Sequence, residues 1–199
     1  MVEPSETDGG NYGPLPQFNP LTDALPAGRY RASLEDIQNR FSVNDHRLQL
    51  WKEWETATEL LRAHIPVCAA WLGGSYFTAK NEPSDIDSVY FIDAHRLTSI
   101  DEEVKNILGV FAGGGLLMQH TSLRVDSYVV PWEANSTPHR ANPDLAEYYE
   151  NRGYWDDLWS KMRSGPKNVR PTRLDAHPRR GYLEVVLDGF SEEGSYFAG

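Results

Sequence analysis

The chain has 199 residues, 40% of them hydrophobic and 12% aromatic, which is enough to bury a substantial core within one domain. A formal charge of −10 at pH 7 argues against blanket electrostatic binding to nucleic acid, although a local basic site is compatible with it. The single cysteine excludes an internal disulfide framework. Because no apolar run approaches a membrane-spanning length and the N-terminus lacks an apolar leader core, we expect a cytoplasmic protein with no membrane partner.

Residues 1–28 are predicted to form a tail, either disordered or extended over the surface, because five prolines precede residue 27 and large apolar residues are few. Residues 29–199 are expected to form a single domain. Cap residues and apolar spacing predict helices over residues 33–41, 44–64, 99–111 and 142–162. Short apolar runs predict strands over residues 67–72, 88–92, 122–130 and 180–190. This order of elements predicts a mixed α/β or α+β domain.

A few residues are expected to end these elements or fix their faces. Pro131 should close the third strand, Gly153 should weaken or break the last helix, and the glycines at 113–115 should break the helix before them. Trp51 and Trp54 fall on the apolar stripe of the second helix, so we expect both in the core.

Two aspartates, Asp85 and Asp87, stand one residue apart in the stretch "WLGGSYFTAKNEPSDIDSVYFID", where the second strand begins. Residues two apart on a strand project from the same face, so both carboxylates should point together while Ile86 turns into the core. Paired carboxylates are good ligands for Mg²⁺ or Mn²⁺. Asp126 lies within the apolar third strand, where a lone buried charge is costly, and it would complete a cation site from a neighbouring strand. The alternative is that Asp85 caps a turn and Asp126 faces solvent from an edge strand.

The turn at Gly73 and Gly74 lets the backbone bend tightly and lets a phosphate approach without a β-carbon in the way. Ser75 can donate its hydroxyl and its backbone N–H to that phosphate, and a short helix over "SYFTAK" would point its N-terminus at the anion. Lys80 either reaches a phosphate or is a solvated turn residue. Tyr76 packs either in the site or in the core.

The stretch "LGGSYFTAKNEPSDIDSVYF" resembles the signature of the DNA polymerase β-like nucleotidyltransferase superfamily: an apolar residue, Gly-Gly-Ser, a short spacer, then Asp-apolar-Asp on a strand and a third acid on a later strand. The match covers residues 66–130. Residues 25–41 and 179–187 are also similar to small bacterial and phage proteins built on that core. The resemblance implies an α+β fold, with a nucleotidyltransferase-type mixed sheet, helices packed on one side, and a C-terminal helical and strand appendage at 142–190.

The same resemblance implies a chemistry and its residues. Asp85, Asp87 and Asp126 would be catalytic and would bind Mg²⁺ or Mn²⁺, and a nucleoside triphosphate such as ATP would be the substrate. Its phosphates would be held by the turn and spacer residues Gly73, Gly74, Ser75 and Lys80. The nucleoside monophosphate would pass to a hydroxyl on an RNA, a protein or a small molecule. A role in a toxin–antitoxin or phage-defence pair is suggested by such relatives, and a protein partner or homodimer is compatible with the small size.

Residues 161–180 carry seven lysines and arginines against one acid, a net charge of about +6, while the rest of the chain carries about −16. This segregation indicates either a contact with a triphosphate or a nucleic-acid acceptor, or a flexible solvated loop.

Two functions other than catalysis stay open. One is a catalytically silent nucleotide-binding module, and the other is an antitoxin-like interaction protein that uses its acidic surface and tail.

Overall fold

The α+β prediction is confirmed by a computed structural model that describes residues 12–133, 143–166 and 168–190. The chain forms one five-stranded mixed sheet and six α-helices in this described part. The strands are β1 (Gly28–Arg31), β2 (Ala69–Gly73), β3 (Ile86–Asp93), β4 (Val125–Trp132) and β5 (Gly181–Val186). The helices are α1 (Leu34–Phe41), α2 (Asp45–Arg62), α3 (Ala94–Leu97), α4 (Glu102–Ala112), α5 (Leu116–Thr121) and α6 (Ala146–Ser160).

The strands lie in the order β1-β5-β2-β3-β4. The β3–β4 and β1–β5 pairs are parallel, whereas β2 runs antiparallel to both β3 and β5. The C-terminal strand of the segment 142–190 is therefore inside the sheet, between β1 and β2. As a result, both ends of the domain are needed to complete the sheet.

The two faces of the sheet are covered by different helices. The larger core joins one face to α1, α2, α4 and α5, and it includes the fully buried Trp51 and Trp54, as predicted. The other face is covered by α6, whose Trp155 and Trp159 pack on Trp71 and its strand neighbours. The helices of the N-terminal half thus share one side, and the C-terminal helix takes the opposite side.

The first two helices begin as the sequence predicts. The side chain of Ser33 accepts a hydrogen bond from the backbone N–H of Asp36, and the side chain of Asn44 caps α2 through the N–H of Arg47. Both helices therefore begin within one residue of their predicted starts. The start predicted for the last helix, at residue 142, lies outside the described residues.

The strand end predicted at Pro131 is wrong, and the break considered at Gly153 does not occur. β4 continues through Pro131, which lies opposite Ile92 in the ladder with β3. Because β4 is at the edge of the sheet, a proline without an N–H is tolerated there. α6 runs unbroken through Gly153, whose α-carbon has open space around it.

In the N-terminal segment, residues 12–18 form no helix or strand, and residues 19–24 form a turn closed by a bridge between Asn19 and Ala24. Residues 1–11 lie outside the described part. The Arg40 guanidinium of α1 donates to the carbonyls of Leu15 at 2.6 Å and Pro16 at 2.5 Å. Phe18 packs against Phe41, with ring centroids 6.0 Å apart. The described part of the tail therefore packs against the domain, and Leu25 lies in the larger core. No described helix is long and apolar enough to cross a membrane.

Arg47 is a buried arginine that fixes the loop between β2 and β3. Its guanidinium donates to the carbonyls of Phe41 at 2.5 Å, Lys80 at 2.7 Å and Tyr76, and it lies 4.5 Å from the centroid of the Tyr76 ring. A buried charge is tolerable only when its donors are satisfied, and here backbone carbonyls satisfy them. Arg47 therefore supports from below the loop that links Gly74 to Asp85.

We expect Arg47→Met to lower the free energy of unfolding by about 3 kcal/mol, because the buried carbonyls that Arg47 contacts in the loop and at the end of α1 would lose their hydrogen-bond donor. Urea unfolding measures this loss. The matched control is Lys52→Met on the exposed face of α2, which should change stability by less than about 0.5 kcal/mol. An equal effect of both substitutions would show that Arg47 does not support the loop.

Candidate active site

Strand register brings Asp87 and Asp126 side by side. They are paired residues in the parallel β3–β4 ladder, and Asp87 is also paired with Gly73 across the antiparallel β2–β3 ladder. Asp85 immediately precedes β3, on the same side as Asp87, and Ile86 between them is fully buried in the larger core. The predicted facing of this strand is therefore confirmed, and the carboxylates lie on the sheet face that α6 covers.

Asp87 is half-buried and its carboxylate is electrostatically strained. Its pKa is raised from 3.8 to about 6, first by burial and then by the neighbouring carboxylates of Asp85 and Asp126, while Arg180 opposes them. These influences show that the three acids are close enough to interact. A carboxyl group whose pKa is raised to this value is common at functional sites, although networks of ion pairs with a purely structural role also produce such a pKa.

Asp126 is oriented by the glycine loop between α4 and α5. Its Oδ1 accepts a hydrogen bond of 2.8 Å from the backbone N–H of Gly115, and its Oδ2 accepts one of 3.4 Å from the Tyr128 hydroxyl. Position 114 requires a glycine, because a β-carbon there would lie only 2.6 Å from the Tyr128 hydroxyl. The sequence indicated these glycines only as a helix break, because no local pattern shows which side chain a loop N–H will meet.

The start of β4 is fixed by an ion pair with α2. The backbone N–H of Arg124 donates to the Glu53 carboxylate at 3.0 Å. The Arg124 side chain also donates to it, through Nε at 2.9 Å and Nη2 at 2.7 Å. These bonds from Arg124 hold the pKa of Glu53 below its ordinary value. Because Arg124 is two residues before Asp126, the pair holds the strand that presents the third acid.

The Gly73–Gly74 turn is required by close packing on both sides. A β-carbon on Gly74 would lie 1.6 Å from Oδ2 of Asp87, and Gly74 also has a φ of +81°. A β-carbon on Gly73 would lie 2.8 Å from the ring of Trp159 in α6. In this structure the space that the glycines leave open is therefore filled by the Asp87 carboxylate and by an α6 side chain.

The residues after the turn are arranged differently from the prediction. Ser75 begins a 3₁₀ turn that ends at Phe77, so the short helix considered for residues 75–80 does not form and offers no N-terminus to an anion. Tyr76 is fully buried in the core, where its hydroxyl donates to the Arg47 carbonyl at 3.1 Å. Lys80 is exposed further along the loop, and its role with a phosphate stays a prediction.

Asp85 also makes the local contact that a turn residue would make. Its Oδ1 accepts a hydrogen bond of 3.1 Å from the Ser84 hydroxyl. This bond uses one carboxylate oxygen and leaves the electrostatic interaction with Asp87 in place. A turn-capping role and a site role for Asp85 are therefore compatible.

Arg180 is a site residue that sequence reasoning did not single out from the basic segment. It precedes β5, its charge acts on Asp87, and its Nε donates to the Trp159 carbonyl at 2.8 Å. Burial lowers the pKa of Arg180 and the Asp87 carboxylate raises it. The one signal available in the sequence was that Arg180 lies two residues before Tyr182, at the start of the predicted last strand. That signal becomes useful only once the strand has been placed beside β2.

α6 closes one side of the acidic cluster. Trp159 lies over Gly73 and 5.8 Å from Tyr182, and Trp155 lies 4.4 Å from Tyr128 between ring centroids. Tyr128 in turn contacts Asp126. The site is thus a half-buried row of carboxylates between the Gly73–Gly74 turn, the glycine loop and the end of α6.

The donor set suits a hard divalent cation, because carboxylate oxygens are the ligands that Mg²⁺ and Mn²⁺ prefer. The geometry is less complete than the donor set. Within the described residues, no group of three or more His, Cys, Asp and Glu side chains is arranged to hold a metal ion. The acids therefore fit such a cation by chemistry and by strand position, and they would have to rotate to surround it.

Comparison with known proteins assigns the chain to a family. Residues 16–186 match the family described as "Family of unknown function (DUF6932)". The chain belongs to this family. No curated protein and no solved structure matched it. The match covers β1 through β5, so the acidic cluster and Arg180 both lie within the part of the chain that defines DUF6932.

For this DUF6932 protein we expect Gly74→Ala to lower the free energy of unfolding by about 2 kcal/mol, because the new methyl would meet the Asp87 carboxylate at an unfavourable φ. Gly109→Ala is the matched control, since that position in α4 has open space and should gain up to about 1 kcal/mol of helix stability. Chemical denaturation of both variants measures the difference. A Gly74→Ala variant as stable as wild type would contradict the close approach.

The raised pKa of Asp87 predicts a pH dependence in metal-free buffer. Between about pH 4 and 6 the native state holds a proton that the unfolded chain has released, so this group's contribution to stability falls as pH rises through that window. Asp87→Asn removes the titration. The variant should therefore gain about 3 kcal/mol relative to wild type between pH 4 and pH 7. Urea unfolding with EDTA at both pH values tests this, and a constant difference would contradict it.

Proposed function

We propose that this chain is a metal-dependent nucleotidyltransferase that moves a nucleoside monophosphate from a nucleoside triphosphate to a hydroxyl acceptor. The observation that carries the proposal is the pairing of Asp87 with Asp126 on adjacent strands, directly across from Gly73 and beside Arg180. Carboxylates of one sign are brought together here at an electrostatic cost, and that cost is understandable if a cation is bound during function.

Each site residue has a role in this proposal. Asp85, Asp87 and Asp126 would hold Mg²⁺ or Mn²⁺, which supplies positive charge for the triphosphate and for the attacking and leaving oxygens. Ser75 donates its hydroxyl to a phosphate at the Gly73–Gly74 turn. Arg180 provides a fixed positive charge near Asp87, where its guanidinium can donate to phosphate oxygens.

The reaction would conserve all atoms in a single displacement. The acceptor hydroxyl oxygen forms a bond to the α-phosphorus while the bond from that phosphorus to the β-phosphate bridging oxygen breaks. Pyrophosphate leaves with the bonding electrons. Asp126 takes the hydroxyl proton on a carboxylate that is held at Oδ1 by the Gly115 N–H and at Oδ2 by the Tyr128 hydroxyl.

One observation favours a second candidate, a nucleotide-binding module without turnover. Asp87 is faced by Arg180 and fills the space beside Gly74, and the described carboxylates are not arranged around a metal position. A site that stays closed in this way could bind a nucleotide without transferring it. The two candidates share the acids and differ in whether label leaves the triphosphate.

The experiment is incubation of the purified protein with each α-³²P-labelled nucleoside triphosphate, Mg²⁺ or Mn²⁺, and total cellular RNA, protein or small metabolites. We expect label to enter one acceptor pool with wild type, and Asp85→Asn/Asp87→Asn to abolish it because the cation ligands are removed. The matched control is Asp45→Asn/Asp101→Asn, which makes the same charge change at two helix starts and should retain transfer.

The outcomes separate the candidates. Metal-dependent binding of triphosphate by calorimetry without any label transfer would favour the binding module. The absence of both binding and transfer from a folded wild-type protein would contradict a nucleotide site at the acids.

A further inference from the structure

A strongly basic segment follows α6, and we call residues 161–180 the basic loop. It holds seven of the chain's 19 lysines and arginines and one of its 29 acids. The structure describes all of it except residue 167. A net charge of about +6 in a protein of −10 is a local feature that the fold has placed in one position. That position decides what the charge can do.

Both ends of the basic loop lie at the end of the sheet where the acids are found. It leaves α6 directly after Trp159, which packs over Gly73, and it returns to β5 through Arg180, whose charge acts on Asp87. The ends are tied together because the backbone N–H groups of Arg179 and Arg180 donate to the Ser160 carbonyl at 2.7 and 3.1 Å. Both ends of the basic loop are therefore held near the acidic cluster.

The loop has a folded base, which argues against a simple solvated linker. Arg173–Ala176 forms a 3₁₀ turn with a capping box between Thr172 and Asp175. Lys161 and Pro178 form an isolated backbone bridge. The arginines are thus presented from a defined backbone, and less conformational entropy is lost when they bind a partner.

The one acid of the loop does not neutralise its arginines. Asp175 accepts hydrogen bonds from the backbone N–H of Thr172 at 2.6 Å, from the Thr172 hydroxyl at 3.1 Å, and from the backbone N–H of Ser164. These bonds hold the pKa of Asp175 below its ordinary range. Asp175 therefore shapes the loop and is committed to its backbone.

The cations themselves are left with much of their charge uncompensated. Lys161 pairs with Asp157 of α6. Arg163 instead donates to the carbonyls of Pro166 and Val169, and Arg179 donates to the Met162 carbonyl at 3.3 Å, so neutral groups orient both. The remaining described positions between them, Arg170 and Arg173, are exposed to solvent.

An exposed aromatic ring lies on α6, the helix that leads into the basic loop. Tyr154 on α6 is 59% exposed, packs edge-on against Trp155 with centroids 5.1 Å apart, and lies near enough to Tyr128 to raise its pKa alongside burial, Asp126 and Asp87. Single-stranded nucleic acids are bound by positive grooves that follow the backbone and by aromatic rings on which bases stack. Both parts occur here, on α6 and on the loop that follows it.

We propose that the basic loop and Tyr154 bind a single-stranded nucleic acid, with the phosphate backbone on the loop arginines and a base on the tyrosine ring. The strand's terminal hydroxyl would then lie toward Asp87 and Asp126, and this last step rests on the proposed nucleotidyl transfer. The binding itself does not rest on turnover. RNA and DNA share the phosphate chemistry, and separate probes distinguish them.

The test measures fluorescence anisotropy of labelled RNA and DNA strands of roughly 20 nucleotides, longer than one typical single-strand site, with the full-length protein and no triphosphate or metal. We expect binding to one or both that weakens with salt. Arg170→Gln/Arg173→Gln should weaken it about fivefold or more and lower the salt-dependence slope by about 1.4, close to 0.7 for each phosphate that is no longer neutralised. Tyr154→Ala should weaken binding without changing that slope.

Lys52→Gln/Lys105→Gln is the matched control, because it removes the same charge from α2 and α4 and should leave binding within about twofold of wild type. Equal weakening by the control, or no binding by wild type at low salt, would overturn the assignment. Displacement of RNA by polyglutamate as effectively as by unlabelled RNA would also overturn it, in favour of an acidic protein. Label transfer to another acceptor class, without strand binding, would keep the proposed function and reject this surface.

Discussion

The close approach of the Asp87 carboxylate to the α-carbon of Gly74 is the constraint on which the rest of this site depends. It fixes the register of β2 against β3, because a shift of one residue would turn Asp87 into the apolar core. The same register sets Gly73 beneath Trp159, so the turn determines how closely α6 can approach the sheet. A single tight turn thus positions the acid row and the helix that covers it.

The sheet separates stability from chemistry by using its two faces differently. On one face, Trp51, Trp54 and their neighbours bury a continuous apolar core, and Arg47 holds the β2–β3 loop from that side. On the other face, a smaller aromatic cluster with α6 borders a row of interacting carboxylates. The large core can offset the cost of that row, and Arg180 reduces the cost locally.

The sequence could predict what depends on local patterns and could not predict what depends on distant contacts. Two-residue alternation placed Asp85 and Asp87 on one side of β3, and the caps at Ser33 and Asn44 set two helices, since those signals lie within a few residues. The contact of Gly115 with Asp126 and that of Arg180 with Asp87 join segments far apart in the chain. The error at Pro131 has a related cause, because an edge position is set by the assembled sheet.

The charge distribution follows from the same arrangement. A chain of −10 repels polyanions over most of its surface, so any approach by a phosphate backbone is confined to the region where positive charge is concentrated. Because β5 lies beside β2, the end of the basic loop is carried to the Gly73–Gly74 turn and the acids. If β5 had instead paired with the outer edge of β4, Arg180 would not lie on the side of Asp87 that faces β2. The position of one strand therefore couples a basic surface, suited to a strand of nucleic acid, to a cluster of carboxylates suited to a divalent cation.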